Sequence, residues 1–124
     1  MNQVDQLAIA RIAVGAGFWA APERALAVGG LDAAAPQSPY LGRLFGAREV
    51  AFGLVTLLAP AQQKRNLALL GLAVDALDAG AGALAIKSAG VSPARGAVLA
   101  GAGAAAVVTG LVGLKQLRGA TPRP

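Results

Sequence analysis

The sequence predicts an all-α fold, an integral membrane bundle of about four transmembrane helices forming a single domain over residues 1–124. Three observations carry that expectation. Charged residues make up 14% of the chain and hydrophobic ones 56%, whereas soluble domains carry roughly 25% charge. The mean hydropathy is +0.59. The apolar residues also gather into four runs, each near the roughly 20 residues that a bilayer core requires. A soluble domain of this length needs a polar exterior, and the chain lacks the residues to build one. Much of its apolar content is Ala and Gly: there are 17 Gly but only three Phe, one Trp and one Tyr. Small residues at this density suit helices whose backbones approach closely in lipid.

The first run extends from about Val4 to Ala21 with Arg11 inside it, and Pro22-Glu23-Arg24 ends it, since a proline disfavours helical backbone in the residue before it. A competing reading is a cleaved signal peptide, with Ile12 to Ala21 as the apolar region and Ala25-Leu26-Ala27 as the processing site. Its leading segment is poor in Lys and contains Asp5, which counts against it. Leu31 to Pro39, with Asp32, two prolines and Ser38, reads as a loop. The second run, about residues 41–59, holds Arg48 and Glu49, so its uninterrupted apolar part, Val50 to Ala61, is too short to span unaided. That helix must bury the pair.

The third run, residues 67–86, is interrupted only by Asp75 and Asp78; it follows a basic turn, Gln62-Gln63-Lys64-Arg65, and closes at Lys87. The fourth, residues 96–114, has no charged residue and is bounded by Arg95 and Lys115. Basic residues thus flank the runs, and the net charge of +5 reads as membrane-interface flanking rather than a nucleic-acid surface. Four spans put both termini on one side with Lys64, Arg65, Lys115, Arg118 and Arg123, against Arg24, Arg43, Lys87 and Arg95 on the other. Positive-inside counting places the termini in the cytoplasm of a bacterial inner (plasma) membrane. Trp19 and Tyr40 read as an aromatic belt at the outer interface.

The chain has no Cys and no His. That removes disulfides, thiol nucleophiles, thiolate metal sites and imidazole acid–base chemistry. With no cofactor fingerprint or metal-ligand cluster either, neither cofactor nor metal is expected.

Chemistry concentrates inside the runs. Gly42, Gly46, Glu49 and Gly53 are spaced four, three and four apart, and Gly71, Asp75, Asp78 and Gly82 repeat that spacing, so each set forms one helical stripe. Such stripes describe close helix packing around acids that must not face lipid. With a 1.5 Å rise per residue, Arg48 and Asp78 lie roughly 10 to 15 Å from the outer end, and Arg11 and Asp75 at similar depths from the inner end. Two pairings become geometrically accessible: Arg48 with Asp78 or Glu49, and Arg11 with Asp75. An unpaired charge at that depth costs several kcal/mol. Three acids against two arginines leave one carboxylate over, to be protonated or to take a ligand. Arg11 lies eleven residues before Pro22 and Arg48 twelve before Pro60, a hint that the first two helices are an inverted repeat.

The segment Gly46-Ala47-Arg48-Glu49-Val50-Ala51-Phe52-Gly53, followed by Ala73-Val74-Asp75-Ala76-Leu77-Asp78, resembles a family of small four-helix bacterial membrane proteins that is DoxX-like in pattern. Its members carry a G-x-R-[DE]-x-x-x-G helix and then a helix with an acid near its centre. The likeness covers about residues 8 to 85 and extends to the Arg11 run ending at Pro22. It implies a four-helix membrane fold and brings no established activity. The Ala, Gly and Arg bias is that of a high-GC bacterial genome.

Three functions fit the residues. The leading expectation is an accessory or structural membrane protein working through helix–helix contacts, as a homo-oligomer or beside a membrane-protein partner. The second is a small transporter or channel whose path is lined by Arg11, Arg48, Glu49, Asp75 and Asp78. The third is an enzyme acting on a lipid or terpenoid, with Glu49, Asp75 or Asp78 as general acid and Arg48 orienting an anionic head group.

Overall fold

The fold is taken from a computed structural model, which describes residues 2–28, 31, 33–88 and 92–119. Among these residues the chain is all-helical, with five helices and no strand: α1 (Gln3–Ala20), α2 (Pro22–Val28), α3 (Ser38–Leu58), α4 (Ala61–Ser88) and α5 (Pro93–Gly119). Asp32 and Arg123 lie outside the described residues, as does the side chain of Arg95.

Local chemistry sets most boundaries. The Asn2 side chain caps α1 by accepting from the Asp5 amide at 2.9 Å, and the Asp5 carboxylate suits the positive end of the helix dipole. Pro22 does end α1, but it opens α2, since proline costs nothing at the first position of a helix. Glu23 and Arg24 therefore begin a short second helix rather than a loop. Pro39 sits in the first turn of α3. That helix stops at Leu58, and Ala59 before Pro60 is extended, with φ −66° and ψ 144°.

The basic turn expected at residues 62–65 is instead helical. The α4 helix starts at Ala61, directly after Pro60, and the Gln63 amide donates to the Pro60 carbonyl at 2.9 Å. The stretch is held by an ion pair between Lys64 and Asp5 of α1. Polar residues need not mean a loop where a neighbouring helix supplies the counter-charge.

The four long helices alternate in direction. Gly15 meets Gly46 and Ala8 meets Gly53, so α1 and α3 are antiparallel. Leu72 meets Gly110 between α4 and α5, and Val4 meets Gly113 between α1 and α5. Phe52 of α3 touches Gly71 of α4. These contacts close an up-down-up-down arrangement in which α1 and α4 face each other across the diagonal. The α1–α3 and α4–α5 pairs are intimate, whereas α3 and α4 approach over a short stretch only.

The interior inverts that of a soluble protein. Among the described residues the buried hydrophobics are Val4, Ala8 and Leu26, whereas Arg11, Ser38, Glu49, Thr56 and Asp75 are all buried. Leucines face out, with Leu58 79% and Leu77 73% exposed, although Leu is among the most often buried residue types in water. Ala61–Ala85, with a mean hydropathy of 1.6, is long and apolar enough to cross a membrane.

Candidate functional site

The charged residues meet at the middle of the bundle. Arg11 is the ninth of 18 residues in α1, Glu49 the twelfth of 21 in α3 and Asp75 the fifteenth of 28 in α4. Their common level follows from how closely α1 and α3 approach. A Cβ on Gly15 would sit 2.5 Å from the Gly46 carbonyl oxygen, and one on Gly53 would sit 2.6 Å from that of Ala8. Only glycine permits this spacing. It fixes the stagger between the two helices and brings Arg11 level with Glu49.

The five side chains form one alternating chain, Asp75–Arg11–Glu49–Arg48–Asp78. Arg11 donates from Nη1 to Glu49 Oε2 at 2.8 Å and from Nη2 to Asp75 Oδ2 at 2.5 Å. Arg48 donates from Nη2 to Glu49 Oε1 at 3.3 Å. It also grips Asp78 with both amino groups, at 3.3 and 2.7 Å. Each guanidinium is backed by a ring: the Arg11 Cζ lies 5.2 Å from the Phe52 centroid and that of Arg48 lies 4.8 Å from Phe45, a cation–π geometry. Phe45 is itself set edge-on to Phe18 at 4.8 Å.

In this arrangement each of the three carboxylates is hydrogen-bonded to an arginine, while the excess of one acid over the bases remains. Glu49 is shared, one oxygen to each arginine, because a guanidinium carries enough donors to serve two acids. Formally the network holds three negative and two positive charges, and no buried side-chain nitrogen or oxygen among the described residues lacks a partner.

Burial divides the five unequally. The side chains of Arg11, Glu49 and Asp75 are 7%, 7% and 5% exposed, whereas Arg48 is 43% and Asp78 40% exposed. The sequence expects Arg48 and Asp78 to be buried with the other three, and their side chains are instead partly exposed. They sit one residue and one turn away from the inward-facing Glu49 and Asp75, which turns them onto the rim where α3 and α4 diverge. Arg11 and Arg48 are also not equivalent, as an inverted repeat would need: one is central and the other peripheral.

The glycines Gly42, Gly46, Gly53, Gly71 and Gly82 are all buried. They do not form one seam. Gly42 packs on Pro22 and Leu26, Gly46 and Gly53 on α1, and Gly71 on Phe52 and the Arg11 guanidinium. Sequence spacing missed Gly15, the counterpart of Gly46, and the Asp5–Lys64 pair, whose members are 59 residues apart. Thr56 is also buried, and its hydroxyl donates to the Phe52 carbonyl at 2.9 Å.

Little open space adjoins the network. A cavity of about 20 Å³ beside Arg11, lined also by Leu7, Thr56, Leu67 and Gly71, holds about one water. An apolar groove on the outer face of α1 and α3, over Ala16, Trp19, Ala47 and Leu54, is lined by none of the five charged residues. At that end of the bundle Arg43 Nε donates to the Trp19 carbonyl at 3.2 Å, and Trp19 and Tyr40 are exposed. Compared with known protein families, curated proteins and solved structures, the chain matches none of them.

Proposed function

We propose that the chain is a multi-pass integral protein of a bacterial inner membrane, spanning it with α1, α3, α4 and α5. In this reading it is an accessory or structural subunit that acts through helix–helix contacts. One observation carries this: charges and glycines occupy the interior while leucines and valines face outward. In water such a distribution exposes the groups that should drive folding. In hydrocarbon it is the expected one, because outer leucines are solvated by lipid, close glycine packing associates the helices, and buried charges must find one another.

The ion network supports the structural role over transport or catalysis. Glu49 and Asp75 are each engaged by Arg11 and closed from the surroundings. The adjoining cavity of about 20 Å³ is too small for a substrate, since ligand sites run from about 300 Å³ upward. The network then fixes helix register and orientation, a role for which buried polar groups are well suited. Kinship with the DoxX-like group, resting on Gly46 to Gly53 and on Asp75, belongs to the same proposal, as do cytoplasmic termini and an aromatic belt at Trp19 and Tyr40.

Fractionation tests it. The chain expressed with a short C-terminal tag should remain in the membrane pellet through an alkaline carbonate wash and enter solution only with detergent. Recovery in the aqueous supernatant without detergent would sink the proposal. Reporter fusions after residues 28, 60 and 90 should alternate in sidedness.

A further inference from the structure

The outer half of the network poses a problem that the bundle alone does not solve. Arg48 and Asp78 are near the middle of their helices, yet their side chains are 43% and 40% exposed. A charged side chain at bilayer centre is costly unless it is paired and covered, and the intramolecular pair leaves much of each group facing hydrocarbon. The residues around them are apolar and also uncovered. On α3, Leu44 and Val55 share the Arg48 stripe and are 50% and 56% exposed; on α4, Leu77 and Leu84 lie beside Asp78, with Leu84 64% exposed. The result is an apolar face with one positive and one negative group at its centre, at a common depth, on adjacent antiparallel helices.

We infer that this α3/α4 face is the contact surface for a second copy of the chain. The inference rests on the membrane reading above and names the partner and the face. Charge complementarity argues for the second copy over another occupant. A two-fold axis along the bundle, passing beside the α3/α4 seam, sets Arg48 of one copy against Asp78 of the other, and the reverse. This reciprocal contact is what an isologous interface requires. The two pairs merge into a ring of four alternating charges, roofed by Leu44, Val55, Leu77 and Leu84 from each copy. A lipid offers nothing to cover a salt bridge at that depth, and an acyl chain would leave its cost in place.

The absence of cysteine makes the test direct. The full chain, carrying either Leu44→Cys on the proposed face or Val108→Cys on α5, is reconstituted in phosphatidylethanolamine–phosphatidylglycerol vesicles, and flotation first establishes insertion. Because α3 of one copy lies diagonally across the axis from α3 of the other, beyond disulfide reach, a flexible bis-maleimide is used: it should cross-link the Leu44→Cys chain to itself, and the Val108→Cys chain, whose position is 60% exposed, about tenfold less. Two charge variants follow, each with its helicity checked by circular dichroism and its association read by energy transfer between labelled copies. Arg48→Asp alone and Asp78→Arg alone should each lose self-association by about tenfold or more, through like-charge contact across the axis. Mixed together they should associate again. Should a charge variant not fold, Val55→Trp, which leaves every charge in place, should block cross-linking at residue 44. Equal cross-linking at 44 and 108, no recovery in the mixture, or wild-type chains that float but stay monomeric at every protein-to-lipid ratio would each overturn the inference. Failure to float would instead sink the membrane reading.

Discussion

Asp75 and Asp78 stand one turn apart on α4, and each is held by an arginine, but the two pairs live in different surroundings. The Asp75–Arg11 pair crosses the bundle diagonal and is closed by glycine-packed helices, with Glu49 completing the coordination. The Asp78–Arg48 pair bridges the sparse contact between α3 and α4 and stays about two-fifths exposed. The difference teaches that burial is set less by position along a helix than by how near the neighbouring backbone comes. Glycines bring α1 and α3 together along their length. Between α3 and α4 the ring of Phe52 holds the helices apart at Gly71.

The largest expected effect sharpens that contrast. Arg11→Gln leaves Glu49 and Asp75 without their shared cation in a dry interior, and should destabilise the bundle by about 3 to 5 kcal/mol, as removing one partner of a buried pair does. Arg48→Gln should cost the monomer less than that, because Glu49 keeps its bond to Arg11 and the half-exposed Asp78 has room to reach toward the membrane interface. Denaturing-detergent titration of the two variants at matched dilution measures both, and equal losses would erase the distinction between inner and outer halves. Next in size is Gly46→Ala, whose new methyl carbon would lie 2.6 Å from the Gly15 carbonyl oxygen. Overpacking of this kind costs about 1 to 3 kcal/mol, and it should shift Arg11 out of register with Glu49. The smallest effect belongs to Gly17→Ala. A Cβ there meets nothing within 4 Å, and the same assay should show no loss, or a gain of up to about 1 kcal/mol from helix propensity. A large loss at Gly17 would mean that α1 packs on a face the bundle leaves open.

Much of the arrangement can be read from residues 1–124 without coordinates. Proline positions and uninterrupted apolar runs locate the long helices, and the 1.5 Å rise puts Arg11 with Asp75 and Arg48 with Asp78 or Glu49. What the sequence withholds is the stagger between helices. That quantity depends on which glycines touch, and Gly15 carries no mark that distinguishes it from Gly17, although one is at a backbone contact and the other is open. Without the stagger, the sharing of Glu49 by two arginines is invisible, and so is the outward turn of Arg48. The charged start of α4 is misread for a related reason: Lys64 and Arg65 resemble a turn until Asp5, far away in the chain, supplies a counter-ion.

The network also has an order in time. During synthesis Arg11 emerges first, Glu49 follows 38 residues later and Asp75 another 26 after that. At about 5 to 20 residues per second, seconds separate these arrivals, and in the membrane setting proposed above an arginine left alone in the bilayer for that long has reason to slip back out. Glu49 is thus the carboxylate that can hold the first helix in place while the ribosome is still making the fourth; a Glu49→Gln chain should be released from the membrane at the nascent stage more readily than an Asp75→Asn chain.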